Sequence, residues 1–202
     1  MEPGPLSNKP PPRPFERARR LPAALLDESV DDEWSFLQTL RHLIHATDRW
    51  ITGPVLAEPE PVHALGMPNP PYEDLPPGVF DLEACPTLAE VLVVRHGRMN
   101  AVKNCVGGVS AAQLDREVSS PNGGKTTVRR CLHVVFREEW WHNQYATRDL
   151  TVLDGGTPTT CATPAPAARR CATPRTVRRS TNTPAFKAND DPTLRLVPHT
   201  PV

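Results

Sequence analysis

At 202 residues, with 25 prolines and a formal net charge of zero, the chain is long enough for one domain but too rich in proline to fold along its whole length. After Gly155 the basic residues outnumber the acidic ones by seven to two, yet Phe186 is the only aromatic there and no nucleic-acid-binding motif is present, which argues against a specific nucleic-acid partner. No apolar run approaches the ~18 residues of a membrane span, and Met1-Glu2-Pro3-Gly4-Pro5 does not begin a basic-then-apolar leader, so the expected setting is the cytoplasm with no membrane partner.

Residues 1–20 form a proline-rich segment expected to be disordered, with at most a short helix between Pro14 and Leu26. The first long helix is expected from Asp31 to Thr52, with acidic residues in its first turn and Gly53-Pro54 as its stop. Its apolar stripe is Phe36, Leu40, Leu43, Thr47, Trp50 and Ile51, widened by Leu37 and Ile44. From Pro54 to Pro86 prolines exclude regular structure, but Val62, Leu65, Met67, Tyr72, Leu75, Val79 and Phe80 provide apolar surface to lie against a bundle. An ordered loop of that length often borders a site.

Thr87-Leu88-Ala89-Glu90 is a capping box that starts a second long helix, which ends at Gly107-Gly108. Ser110-Ala111-Ala112-Gln113 is another, starting a short helix to about Val118. Residues Ser119 to Gly124 make a turn, and a last helix runs from Thr126 to Asp154. The class is therefore all-α, with a folded unit over residues 21–154. From Gly155 to Val202 Thr, Ala, Pro and Arg dominate, Cys161-Ala162-Thr163-Pro164 recurs as Cys171-Ala172-Thr173-Pro174, and disorder is expected. The five cysteines include no C-x-x-C pair, which argues against a disulfide framework and a cysteine zinc knuckle.

Chemistry concentrates in the last helix. Glu138 and His142 lie one turn apart on one side, within an arc shared by Cys131, Val135, Ala146, Asp149 and Leu153. An unpartnered carboxylate in such a stripe would cost several kcal/mol or give up its charge. A divalent metal is one compensator; a core salt bridge or hydrogen bond, for example to Arg41, Arg95 or Arg130, is the other. A metal site needs a further ligand from another helix, for which His42 and His45 are the candidates and His96 and His133 the outsiders. Gly123-Gly124-Lys125-Thr126 lacks the upstream glycine spacing of a phosphate-binding loop.

The string Leu40-Arg41-His42-Leu43-Ile44-His45-Ala46-Thr47-Asp48, followed far downstream by Glu138-x-x-x-His142, resembles the DinB-like superfamily over about residues 21–154. Its E-x-x-x-H form is similar to the mycothiol-dependent maleylpyruvate isomerases within that group. The resemblance implies an up-and-down four-helix bundle with His42, Glu138 and His142 as metal ligands, zinc as the first choice of metal, and mycothiol or a similar thiol as cosubstrate. It implies a metal-dependent thiol S-transferase or isomerase acting on a small electrophile; the alternatives are a non-catalytic bundle that binds metal or a partner, and a degenerate inactive copy.

Two features depart from that pattern. His42 falls outside the Phe36–Trp50 stripe on a helical wheel, so the triad requires this helix to have neighbours on two sides. Pro10 to Pro14 and Pro22 occupy the place of a full first helix, so one wall of the bundle is expected to be short. Exposed apolar surface would follow, with homodimerisation or poor solubility as the consequence. Asp149 could orient a ligating histidine or simply pair with Arg148.

Overall fold

The computed structural model describes residues 14–72, 75–155 and the backbone of 176–177. The elements in order are helix α1 (Pro14–Ala18), a 3-10 turn (Ala23–Asp27), strand β1 (Ser29–Val30), helix α2 (Phe36–Thr47) continued by a π turn (Asp48–Thr52), helix α3 (Leu88–Gly108), helix α4 (Ala111–Leu114), strands β2 (Glu117–Ser119) and β3 (Lys125–Thr127), helix α5 (Val128–Gly155) and strand β4 (Thr176–Val177). The architecture is the expected all-α bundle with a short first helix. Within the ends expected to be disordered, Pro14–Ala18 is helical, Arg19 and Arg20 form a turn, Gly155 ends α5 and β4 pairs in parallel with β1; the other residues of those ends lie outside the described residues.

Helix α2 starts five residues later than expected. Asp31 and Asp32 have φ of 54° and 63°, a left-handed conformation that no helix can incorporate but that Asp tolerates better than most residues. The helix opens instead at Ser35, whose side chain accepts from the Gln38 amide while the Gln38 side chain accepts from the Ser35 amide. No acidic residue lies in its first turn. The capping boxes at Thr87 and Ser110 form as expected.

Beyond α4, the expected continuation to Val118 is replaced by a hairpin. Glu117 to Ser119 pair antiparallel with Lys125 to Thr127 around a turn in which Gly123 and Gly124 have φ of 90° and 70°. Val118 is buried in this hairpin, and α5 begins two residues later than expected.

α2 is the central helix. From Phe36 to Thr47 every residue except Gln38 is buried, because α3, α5 and the connection between Thr52 and Leu88 all pack on it. Arg41 donates to the carbonyls of Leu65, Ala84 and Asp81, and the Met67 amide donates to the Arg41 carbonyl. The proline-rich connection is thus laid along α2 by hydrogen bonds as well as by apolar contact. At the π turn the carboxylate of Asp48 is fully buried, pairs with Arg98 of α3 and accepts from the His63 amide at 2.8 Å.

Two apolar clusters fill the bundle. One joins Ala18, Leu26, Phe36, Leu40 and Ile44 to Val91 of α3 and to Ala146 and Leu150 of α5. The other joins Ile51, Val102 and Val118 to Val128, Cys131, Leu132 and Val135. Burying each such large side chain is worth about 1.5–3 kcal/mol. On α5 the clusters are separated by the segment that carries Glu138 and His142. Cys105 and Cys131 are free thiols. Among the described residues no helix is long and apolar enough to cross a membrane.

Candidate metal centre

His42, Glu138 and His142 converge, with one donor atom from each lying within 4.8 Å of the others. His42 Nε2 is 3.5 Å from Glu138 Oε2, His142 Nδ1 is 3.4 Å from the same oxygen, and the two imidazole centroids are 4.9 Å apart. His42 is 4% exposed, which removes the helical-wheel objection, since a helix buried on all sides can direct a ligand away from its main apolar stripe.

Each ring is oriented by a carbonyl. His42 Nδ1 lies 3.0 Å from the Met67 carbonyl, and His142 Nδ1 lies 2.8 Å from the Glu138 carbonyl. Carbonyl oxygens only accept, so both Nδ1 atoms carry the proton, and a neutral ring then presents Nε2 as a lone pair. For His42 that lone pair faces a carboxylate oxygen at 3.5 Å. Two acceptors held face to face require a proton or a cation between them. Donors around a tetrahedral zinc with ligand distances of about 2.1 Å are themselves separated by roughly 3.4 Å, so the His42 Nε2–Glu138 Oε2 spacing fits a shared divalent ion, to which His142 would offer Nε2 because its Nδ1 carries the proton.

The electrostatics agree with that fit. Burial opposes ionisation of Glu138, but the nearby His42, His142 and Arg137 outweigh it and lower its pKa. Burial, then the proximity of His42, lowers the pKa of His142 despite the opposing pull of Glu138. A carboxylate and a neutral imidazole are the states that metal ligation uses.

The alternative counter-ions for Glu138 are engaged elsewhere: Arg41 on three carbonyls, and Arg95 on Glu139 at 2.8 Å. Arg130 is exposed. His45 is buried against Phe80, with ring centroids 5.3 Å apart, and its Nδ1 has no hydrogen-bond partner; burial first, then His42 and Arg49, lower its pKa to about 4. His96 and His133 are exposed. Asp149 is held by Arg148 through two hydrogen bonds of 2.6 and 3.0 Å.

The sequence did not reveal Trp34. Its ring lies 4.6 Å from that of His42 and 6.4 Å from that of His142, stacked on the latter at 23°. Nor did it reveal the Arg148–Glu33 ion pair that ties the residue before Trp34 to α5, or Tyr145, edge-to-face with His142 at 5.9 Å. Aromatic enrichment around the motif was the available signal.

The model of the DinB superfamily matches residues 13–146. The chain belongs to the DinB superfamily. Of the DinB pattern, the match covers the bundle from the residue before α1 to the third turn from the end of α5, with all three converging side chains inside it. Comparison with curated proteins and with solved structures returned no match.

Proposed function

We propose that this DinB protein binds a divalent metal, zinc in the first instance, through His42, Glu138 and His142, and acts in the cytoplasm as a thiol S-transferase or isomerase on a small electrophile, with mycothiol or a similar low-molecular-weight thiol. The observation that supports this reading is the convergence of the three donor atoms within 4.8 Å between two apolar clusters. A divalent ion lowers the pKa of a coordinated thiol and readies it for attack.

The chain's own residues do the positioning. The carbonyls of Met67 and Glu138 hold each imidazole in one tautomer. Three protein donors leave a fourth position for a thiol or water. The Trp34 ring covers both imidazoles and limits water there. A binding role without catalysis is the second reading, favoured by an α1 of only five residues, which leaves one wall of the bundle short and suits homodimerisation.

The test is metal analysis of the purified full chain beside His142→Ala. About one equivalent of divalent metal is expected in the wild type and a large loss in the variant; a folded wild type that takes up none refutes the reading. Turnover of an electrophile with mycothiol or a surrogate thiol then separates an enzyme from a binding protein.

A further inference from the structure

Trp34 lies over the His42–Glu138–His142 cluster from a segment that belongs to no helix or strand. Its ring centroid is 4.6 Å from that of His42 and 6.4 Å from that of His142, on which it stacks at 23°. The two imidazole side chains beneath it are 6% and 13% exposed. Residues 31–34 hang between two fixed points, because Val30 is buried and paired in β1 and Ser35 is the buried cap of α2. Asp32 and Glu33 between them are exposed.

The segment is held in a conformation it would not choose alone. The φ angles of 54° and 63° at Asp31 and Asp32 fall in the left-handed region, which residues other than glycine occupy at a cost and keep only where their surroundings impose it. The imposing contacts converge on Glu33. Its amide donates to the Val30 carbonyl at 3.1 Å, its carbonyl accepts from the Ser29 hydroxyl at 2.5 Å, and its carboxylate pairs with Arg148 of α5. Of these three contacts, only the ion pair joins the segment to the far side of the site. Arg148 is itself fixed there, donating to Asp149 and standing 5.2 Å from the centre of the Tyr145 ring, which meets His142 edge-to-face. The Glu33 side chain is 46% exposed, so water can replace Arg148 as its partner. Once the pair breaks, the backbone can relax out of the left-handed region and carry Trp34 off the imidazoles.

We propose that residues 31–34 form a lid over the His42–Glu138–His142 site, with Trp34 as its cover and the Glu33–Arg148 ion pair as its latch. The inference deepens the metal reading and rests on it for what the lid admits, but not for the lid itself. Because the same latch closes the site with and without an ion, weakening it speeds entry and exit alike and leaves the affinity nearly unchanged.

In the metal-free full chain, labelling of histidines by diethyl pyrocarbonate is followed residue by residue by mass spectrometry. Glu33→Gln is expected to speed labelling of His42 and His142 about tenfold, and Trp34→Ala at least as much. His45, buried against Phe80, and the exposed His96 and His133 keep their rates. With cobalt(II) as the probe, Glu33→Gln is expected to speed both uptake and stripping by EDTA about tenfold, with the dissociation constant changed by less than about threefold. No acceleration at His42 and His142, an equal acceleration at His45, or faster stripping with unchanged uptake overturns the lid, because the second result means general loosening and the third a weakened site. Failure to take up cobalt overturns the metal reading alone, since the labelling reads the lid without an ion.

Discussion

The Nε2 atom of His42 and the Oε2 atom of Glu138 lie 3.5 Å apart, although one residue belongs to α2 and the other to α5. If a metal ion is what reconciles these two acceptors, Glu138→Gln weakens the site while leaving the side chain's shape. We expect a loss of divalent-metal affinity of about 100-fold or more, above the 10–100-fold typical of residues that only orient ligands. Competition against a chromophoric chelator measures it, and an unchanged affinity excludes Glu138 as a ligand.

Acidification should destabilise the metal-free protein through its buried imidazoles. His45 has its folded pKa lowered to about 4 from 6.5 by burial, then by His42 and Arg49, so its neutral form is the one the fold prefers. That contribution is fully present above pH ~6.5 and is lost as pH falls towards the folded value, by about 3 kcal/mol in total. The lowered pKa of His142 acts in the same direction. Urea unfolding at pH 7, 5.5 and 4 should show the decline, and His45→Leu should flatten it.

Asp48 and Arg98 tie the π turn at the end of α2 to α3, and the Asp48 side chain is fully buried. Removing one member of such a pair strands the other, which costs about 3–5 kcal/mol. Asp48→Ala is expected to destabilise by that amount, and Asp48→Ala with Arg98→Ala by less than the sum of the single changes. Additive losses in the double-mutant cycle count against coupling.

Packing and capping should differ in scale. Leu150 is fully buried in the cluster that joins α5 to α1, α2 and α3, so Leu150→Ala is expected to cost about 2–5 kcal/mol. Thr87 caps α3 by accepting from the Glu90 amide, and Thr87→Ala is expected to cost only about 1 kcal/mol. Denaturant midpoints at constant slope check both.

Trp34 should report on an ion at the centre. Because its ring lies 4.6 Å from that of His42, cobalt(II) should quench tryptophan emission, and Trp34→Phe should remove most of that quenching although Trp50, Trp140 and Trp141 remain. Equal quenching in the variant places the ion elsewhere.

The helical class, the caps at Thr87 and Ser110, and the pairing of Glu138 with His142 on one face were legible from the linear chain, because each depends on contacts within a single helical turn. Short-range chemistry also misled where a nonlocal constraint prevailed. The acidic residues Asp31 and Asp32 suggest a helix start, but they occupy a left-handed turn, and the three-residue strands of the hairpin are too short to show any periodicity.

The assembly of the centre was of another kind. A helical wheel assigns His42 to the wrong side of α2 for a single neighbour, and nothing within the helix indicates that α3, α5 and a proline-rich connection enclose it on every side. The carbonyl of Met67 orients His42, and Trp34 covers its ring; each of these contacts joins segments distant along the chain. Local spacing follows from backbone geometry, but the convergence of remote side chains follows from how whole helices share a common core.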